Sequence, residues 1–210
     1  PMLNKTLKLI RIVKGYNIRL VSLEIGKTPQ YINRIETGTL SIPQKVLESF
    51  SLVYQMPISK IENISLFYDK NDNISSVINE ISKYYIIKEQ NEIFNTEDLK
   101  YVFEMPESPL KLIRIMNEYT IKEASKYSDV SISTINKVEQ LMTNTTDRTI
   151  NKLSNVYNIQ ENVVKELIKK QNEGTSRAEL FYMTSNYYMN ENDRTITSLE
   201  KSLGSIKYVK

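Results

Sequence analysis

Residues 26–38 read GKTPQYINRIETG, from Gly26 to Gly38. Gly26 suits the left-handed conformation that ends a helix, Thr28 can cap the next one, and Pro29 fits its first position. A helix, a tight turn and a second helix are thus encoded within a few residues. In the second helix Ile32 and Ile35 stand three apart and face inward, which leaves Pro29, Gln30, Asn33, Arg34 and Thr37 on the outer side and Tyr31 near the border.

Working outward, the apolar spacing stays helical. Leu7, Ile10 and Val13 share one face of a helix before the turn, and Ile18, Val21 and Ile25 share a face of the next. Pro43 opens a fourth helix through Val46, Leu47, Phe50 and Val53, and Pro57 opens a fifth through Ile58, Ile61 and Ile64. No alternating run competes, so five short helices around one core are expected.

The string LKLIRI occurs at Leu7–Ile12 and again at Leu110–Ile115, 103 residues later. The same offset, without a gap, superposes Tyr16 on Tyr119, Ser22 on Ser125, Ile32 and Asn33 on Ile135 and Asn136, Glu36 on Glu139, and Tyr54 on Tyr157. One register kept over that distance means two copies of one domain. The expected fold is all-α: domains at 3–66 and 107–170, joined by an acidic helical connector at 67–106 and followed by a small C-terminal extension at 171–210.

In the connector, Ile74, Val77, Ile78, Ile81, Tyr84 and Tyr85 form an amphipathic helix suited to packing between the domains or against another subunit. In the extension, Ser176 and Glu179 have capping-box spacing, and Gly204 precedes a β-prone SIKYV segment. The extension is read as having no internal partner in the repeat. Its aromatic residues Phe181, Tyr182, Tyr187 and Tyr188 are candidates for a partner surface or for hydrophobic packing.

The net charge of +3 is unevenly spread: residues 3–64 carry nine Lys and Arg against four Asp and Glu, whereas residues 65–107 carry four against nine. A basic module beside an acidic connector suits a polyanion, and a solvated basic face is the alternative. With neither Cys nor His, disulfides and the usual zinc ligand sets are excluded, so no metal is expected. No phosphate-cradling glycine loop, activated nucleophile or carboxylate pair suggests an enzyme, and no cofactor is expected. Neither a membrane span nor an export signal is read from the chain, and a cytoplasmic location is expected.

A short exposed helix bearing amide and guanidinium groups suits the major groove of double-stranded DNA, where Arg pairs with guanine and Gln or Asn with adenine. Residues 7–64 resemble the Cro/CI-type helix-turn-helix regulators, the XRE family, on Gly15, Gly26, Thr28, Ile32, Ile35, Glu36 and Gly38. The resemblance implies base contacts by Gln30, Tyr31, Asn33 and Arg34. It implies phosphate contacts by helix N-termini and the following loop, with Asn17, Arg19, Lys27, Thr28, Thr39 and Ser41 as candidates. Ile18 stands where the family usually has a phosphate-holding glutamine, so that contact is either missing or moved to Asn17 or Arg19. Arg11 with Glu36, and Arg114 with Glu139, stand where the family places a structural ion pair.

The second copy departs further, with Glu118, Asp129 and Leu141 at the three turn glycines. Its recognition helix, capped by Ser131, would present Ile132, Ser133, Thr134, Asn136 and Lys137, and the candidate contacts are Ser133, Thr134, Asn136 and Lys137. The resulting expectation is a sequence-specific DNA-binding regulator, most simply a repressor, with a homodimer through the connector or extension as one possible assembly. The alternative is an antitoxin, anti-repressor or other inhibitor that grips a protein partner through the second copy or the C-terminal segment.

Overall fold

The computed structural model describes residues 2–91 and 107–190, and all the regular structure among them is helical. These residues fall into two compact units, 2–91 and 107–190. The SIKYV segment lies outside the described residues.

The first unit contains α1 (Met2–Lys14), α2 (Ile18–Ile25), α3 (Pro29–Glu36), α4 (Gln44–Tyr54), α5 (Ile58–Asn71) and α6 (Ile74–Asn91). Its core gathers Leu7, Ile10, Val21, Ile32, Ile35, Phe50, Tyr54 and Ile61, all almost completely buried. Ile18 and Ile25, which share a helical face with Val21, are only half-buried, because α2 is pressed inward at its middle. The connector helix α6 packs on α1 and α5 of its own unit. Val77, Ile78, Ile81, Tyr85 and Ile86 are the apolar side chains it buries. Lys14 is buried at the end of α1, its ammonium 4.7 Å from the ring centre of Tyr85 and 5.2 Å from that of Tyr16. Such placement offsets part of the cost of desolvating the charge.

The second unit repeats the plan with α7 (Pro109–Met116), α8 (Ile121–Ser128), α9 (Ile132–Glu139), α10 (Asp147–Val156), α11 (Glu161–Asn172) and α12 (Arg177–Met189). Helix α12 packs on α7 and α11, the counterparts of α1 and α5. Helix α12 of the extension therefore does have a counterpart in the repeat: it stands in the second unit where α6 stands in the first. The hydroxyl of Tyr85 donates to the carbonyl of Tyr54 at 2.6 Å, and 103 residues later the hydroxyl of Tyr188 donates to the carbonyl of Tyr157 at 2.7 Å. Edge-on ring pairs Tyr84–Tyr85 and Tyr187–Tyr188 accompany these bonds at 5.3 and 5.4 Å. Phe181, Tyr182 and Tyr187 are buried and Tyr188 is half-buried, which corrects their reading as a partner surface. They close the core of the second unit.

Candidate nucleic-acid interface

The α2–α3 turn follows from three residues. Gly26 takes φ 70°, and the turn is closed by amides of Gly26 and Lys27 bonding to the carbonyls of Leu23 and Ser22. Thr28 then accepts from the Tyr31 amide at 3.2 Å, and Pro29 occupies the first turn of α3. With Ile32 and Ile35 wholly buried, Gln30, Asn33, Arg34 and Thr37 stand exposed on the opposite side. Tyr31 is half-buried beneath the ammonium of exposed Lys27, 5.4 Å from its ring centre.

The far end of α3 is held by an ion pair. Arg11 donates from Nε and Nη2 to the two carboxylate oxygens of Glu36, at 2.6 and 2.9 Å, and from Nη1 to the carbonyl of Tyr16 at 3.1 Å. Side-chain exposure is 15% for Arg11 and 2% for Glu36, so the pair is shielded from water. One guanidinium thereby ties α1, the turn before α2 and the recognition helix together. Asn4, buried in α1, adds side-chain bonds to the carbonyls of Ile35 and Leu40. Its role was missed from the sequence, where the signal was a polar residue one turn before Leu7 on the inward face of α1.

Around α3 lie the residues matched to phosphate contacts. Asn17 caps α2 by accepting from the Arg19 amide at 2.8 Å, so its oxygen is engaged and its amide N–H groups are what it can offer. Arg19 and Ser41 are exposed. Thr39, also exposed, spends both its amide and its hydroxyl on the carbonyl of Arg34, at 2.9 and 3.1 Å, and would have to turn its hydroxyl to reach a ligand.

In the second unit Ser131 caps α9 by accepting from the Thr134 amide at 3.1 Å, and its hydroxyl lies 2.8 Å from that of Thr134. Ser133 and Lys137 are exposed, whereas Thr134 and Asn136 are half-buried. Arg114 repeats the ion pair, donating to Glu139 at 2.6 and 2.8 Å and to the carbonyl of Tyr119 at 2.8 Å. Burial opposes its charge, but the hydrogen bonds and charge of Glu139 outweigh that and raise its pKa above the ordinary value. The three turn glycines of the first unit are matched by Glu118, Asp129 and Leu141, all left-handed, at φ 57°, 53° and 57°. Lys152 braces one of these turns, its ammonium 3.0 Å from both the carbonyl and a carboxylate oxygen of Asp129.

Each unit thus holds a capped, eight-residue helix against its core at both ends and turns a polar face outward. The helix-turn-helix family matches twice, over residues 7–61 and 110–164, more than half of the chain. The chain belongs to the helix-turn-helix family. It is a tandem helix-turn-helix protein of the XRE type, the class of DNA-binding regulators. No curated protein and no solved structure matches this helix-turn-helix chain. Among its described residues no group of three or more acidic side chains converges to hold a metal ion, and no helix is long and apolar enough to cross a membrane.

Proposed function

We propose that the chain is a sequence-specific transcriptional repressor that inserts α3, and with it α9, into the major groove of DNA and occludes a promoter. The observation that carries this reading is the outward face of α3, where Gln30, Asn33 and Arg34 stand exposed while Arg11 and Glu36 hold the helix in place. Preorganised amide and guanidinium groups pair bidentately with adenine and guanine edges. Tyr31, gripped under Lys27, adds its ring edge to the same face.

Phosphate contacts in this reading fall to Arg19, Lys27, Ser41 and the α2 and α3 N-termini capped by Asn17 and Thr28, with Thr39 after a hydroxyl rotation. In the second unit the candidate DNA contacts of the recognition helix are Ser133, Thr134, Asn136 and Lys137. Arg34 and Asn33 recur there as Lys137 and Asn136, but Gln30 and Tyr31 are replaced by Ser133 and Thr134, so fewer long donors reach outward.

Two recognition helices on one chain suit an asymmetric or direct-repeat site, whereas a homodimer would read four half-sites. The alternative inhibitor reading loses its candidate aromatic surface, since that cluster is core. Selection of bound duplexes from a random DNA pool with the full chain tests the proposal. Two spaced half-sites of different sequence are the expected result, and enrichment of no sequence would overturn it.

A further inference from the structure

Helix α6 carries two stripes. Val77, Ile78, Ile81 and Tyr85 enter the core, and beside them Glu80, Lys83, Tyr84, Ile87, Lys88 and Asn91 follow helical spacing along a second face. Together with Lys60 of α5, that second face lines a cleft of about 420 Å³, within the size range of small-ligand sites. Three lysines meet one glutamate there. Lys60 and Lys83 form no ion pair among the described residues. Tyr84 is half-buried, with its ring edge-on to that of Tyr85 at 5.3 Å and its hydroxyl 3.4 Å from the carbonyl of Gln55. Ile87 is half-buried as well, so the cleft has an apolar side next to its cationic one.

The repeat shows that the fold does not require this arrangement. The counterparts of Lys60, Glu80 and Tyr84 are Val163, Met183 and Tyr187, each with 2% exposure or less, and the counterpart of Lys83 is Asn186. In the first unit Lys60, Glu80 and Tyr84 are half-buried and Lys83 is exposed. The second unit thus gains apolar burial where the first keeps charges and a tyrosine ring open to solvent. Like charges gathered on a concave surface repel one another, and they raise the local concentration of anions.

We propose that the α5–α6 cleft of the first unit is a binding site for a small organic polyanion with a flat apolar body, the chemistry of a nucleoside triphosphate. Lys60, Lys83 and Lys88 meet the phosphates, and the base lies against Tyr84 and Ile87, where Asn91 offers its amide to the base edge. Ammonium groups hold phosphate as point charges, and an aromatic face accepts any base. The site is drawn from α5 and α6 and not from α2 and α3, so the inference does not depend on DNA binding.

Calorimetric titration of the full chain with ATP and with tripolyphosphate tests it. ATP is expected to bind with a Kd below about 1 mM and more tightly than tripolyphosphate, which lacks the base. Lys60→Gln and Lys83→Asn, the second copying the residue that the repeat already holds, should each weaken ATP about three- to tenfold without moving the melting temperature of the free protein. Tyr84→Leu removes the advantage of ATP over tripolyphosphate. Lys27→Ala and Arg34→Ala leave ATP affinity unchanged. No binding of ATP, an unchanged affinity in the double variant Lys60→Gln with Lys83→Asn, or tripolyphosphate binding as tightly as ATP overturns the inference. Loss of ATP with Lys27→Ala or Arg34→Ala overturns it too, since the nucleotide then sits on the proposed DNA face. A failed duplex selection touches only the DNA-binding reading.

Discussion

The hydroxyl of Tyr188 reaches the carbonyl of Tyr157 across 31 residues at 2.7 Å and so fastens α12 to the end of α10. Tyr85 does the same for α6 and α4 through Tyr54. Because the Tyr85 bond is fully buried, Tyr85→Phe leaves a carbonyl without its donor and is expected to cost about 1 to 2 kcal/mol, read by chemical denaturation. Ending the chain after Gly174 has a larger effect, since it strips Leu180, Phe181, Met183 and Tyr187 from the core. At roughly 1.5 to 3 kcal/mol per large side chain, the second unit loses its cooperative unfolding transition. An intact transition in that truncation would show α12 to be an accessory.

Arg11→Ala leaves the carboxylate of Glu36 buried with neither guanidinium bond. The expected loss is about 3 to 5 kcal/mol, with little change in the DNA sequence preferred by whatever fraction stays folded. Arg11→Lys recovers only part, because an ammonium cannot meet both oxygens in a planar fork. A larger change in base preference than in stability would contradict the scaffold role.

The turns of the two units offer a comparison of backbone cost. Around Gly26 a Cβ would meet nothing within 4 Å, so Gly26→Ala isolates the strain of φ +70° and is expected to cost about 1 kcal/mol. Asp129 already tolerates the corresponding conformation, and Gly26→Asp should lose less than the alanine variant. In the opposite direction Glu118→Gly relieves its turn and should stabilise the second unit by up to about 1 kcal/mol, net of the added freedom of the unfolded chain. Melting temperatures of the three variants decide the order.

In the proposed reading Arg34 meets a base and Lys27 a phosphate, and substitutions at the two positions tell those roles apart. Arg34→Ala is expected to cost about 1 to 3 kcal/mol on the preferred duplex and to relax preference at one base pair. Lys27→Ala should weaken all sequences alike and flatten the salt dependence by about one unit of slope. Titrations on matched and mutated duplexes at several salt concentrations distinguish the two patterns.

Acid should weaken the second unit through two carboxylates. The backbone and hydroxyl bonds from Thr120 hold the Glu123 carboxyl below its ordinary value, and the hydrogen bond and charge of Lys152 do the same for Asp129. A folded pKa below the unfolded one stabilises fully above the unfolded value, and that contribution is lost as pH falls through the folded value. Glu123→Gln should therefore flatten the fall of melting temperature on the acid side of the ordinary carboxylate range while lowering stability at neutral pH. An unchanged acid slope would show that Glu123 does not carry it.

What the sequence determined by itself was local and periodic. Gly26, Thr28 and Pro29 specify a turn and a cap through backbone geometry, and Ile32 and Ile35 orient α3 through helical spacing. The 103-residue offset then carried that plan to the second copy. The sixth helix was harder to place. Its apolar spacing shows that α6 buries a face but not against what, and the shared Ser-x-Tyr-Tyr of Ser82, Tyr84 and Tyr85 with Ser185, Tyr187 and Tyr188 is too short to extend the repeat unaided. Only the tertiary structure joined α6 and α12 to their units, because the phenols of Tyr85 and Tyr188 bond to backbone carbonyls, which carry no side-chain signature. The same holds for Asn4 on the carbonyl of Ile35, and for the exposure of Leu141 and Met142, which follows from how the turn after α9 leaves the core.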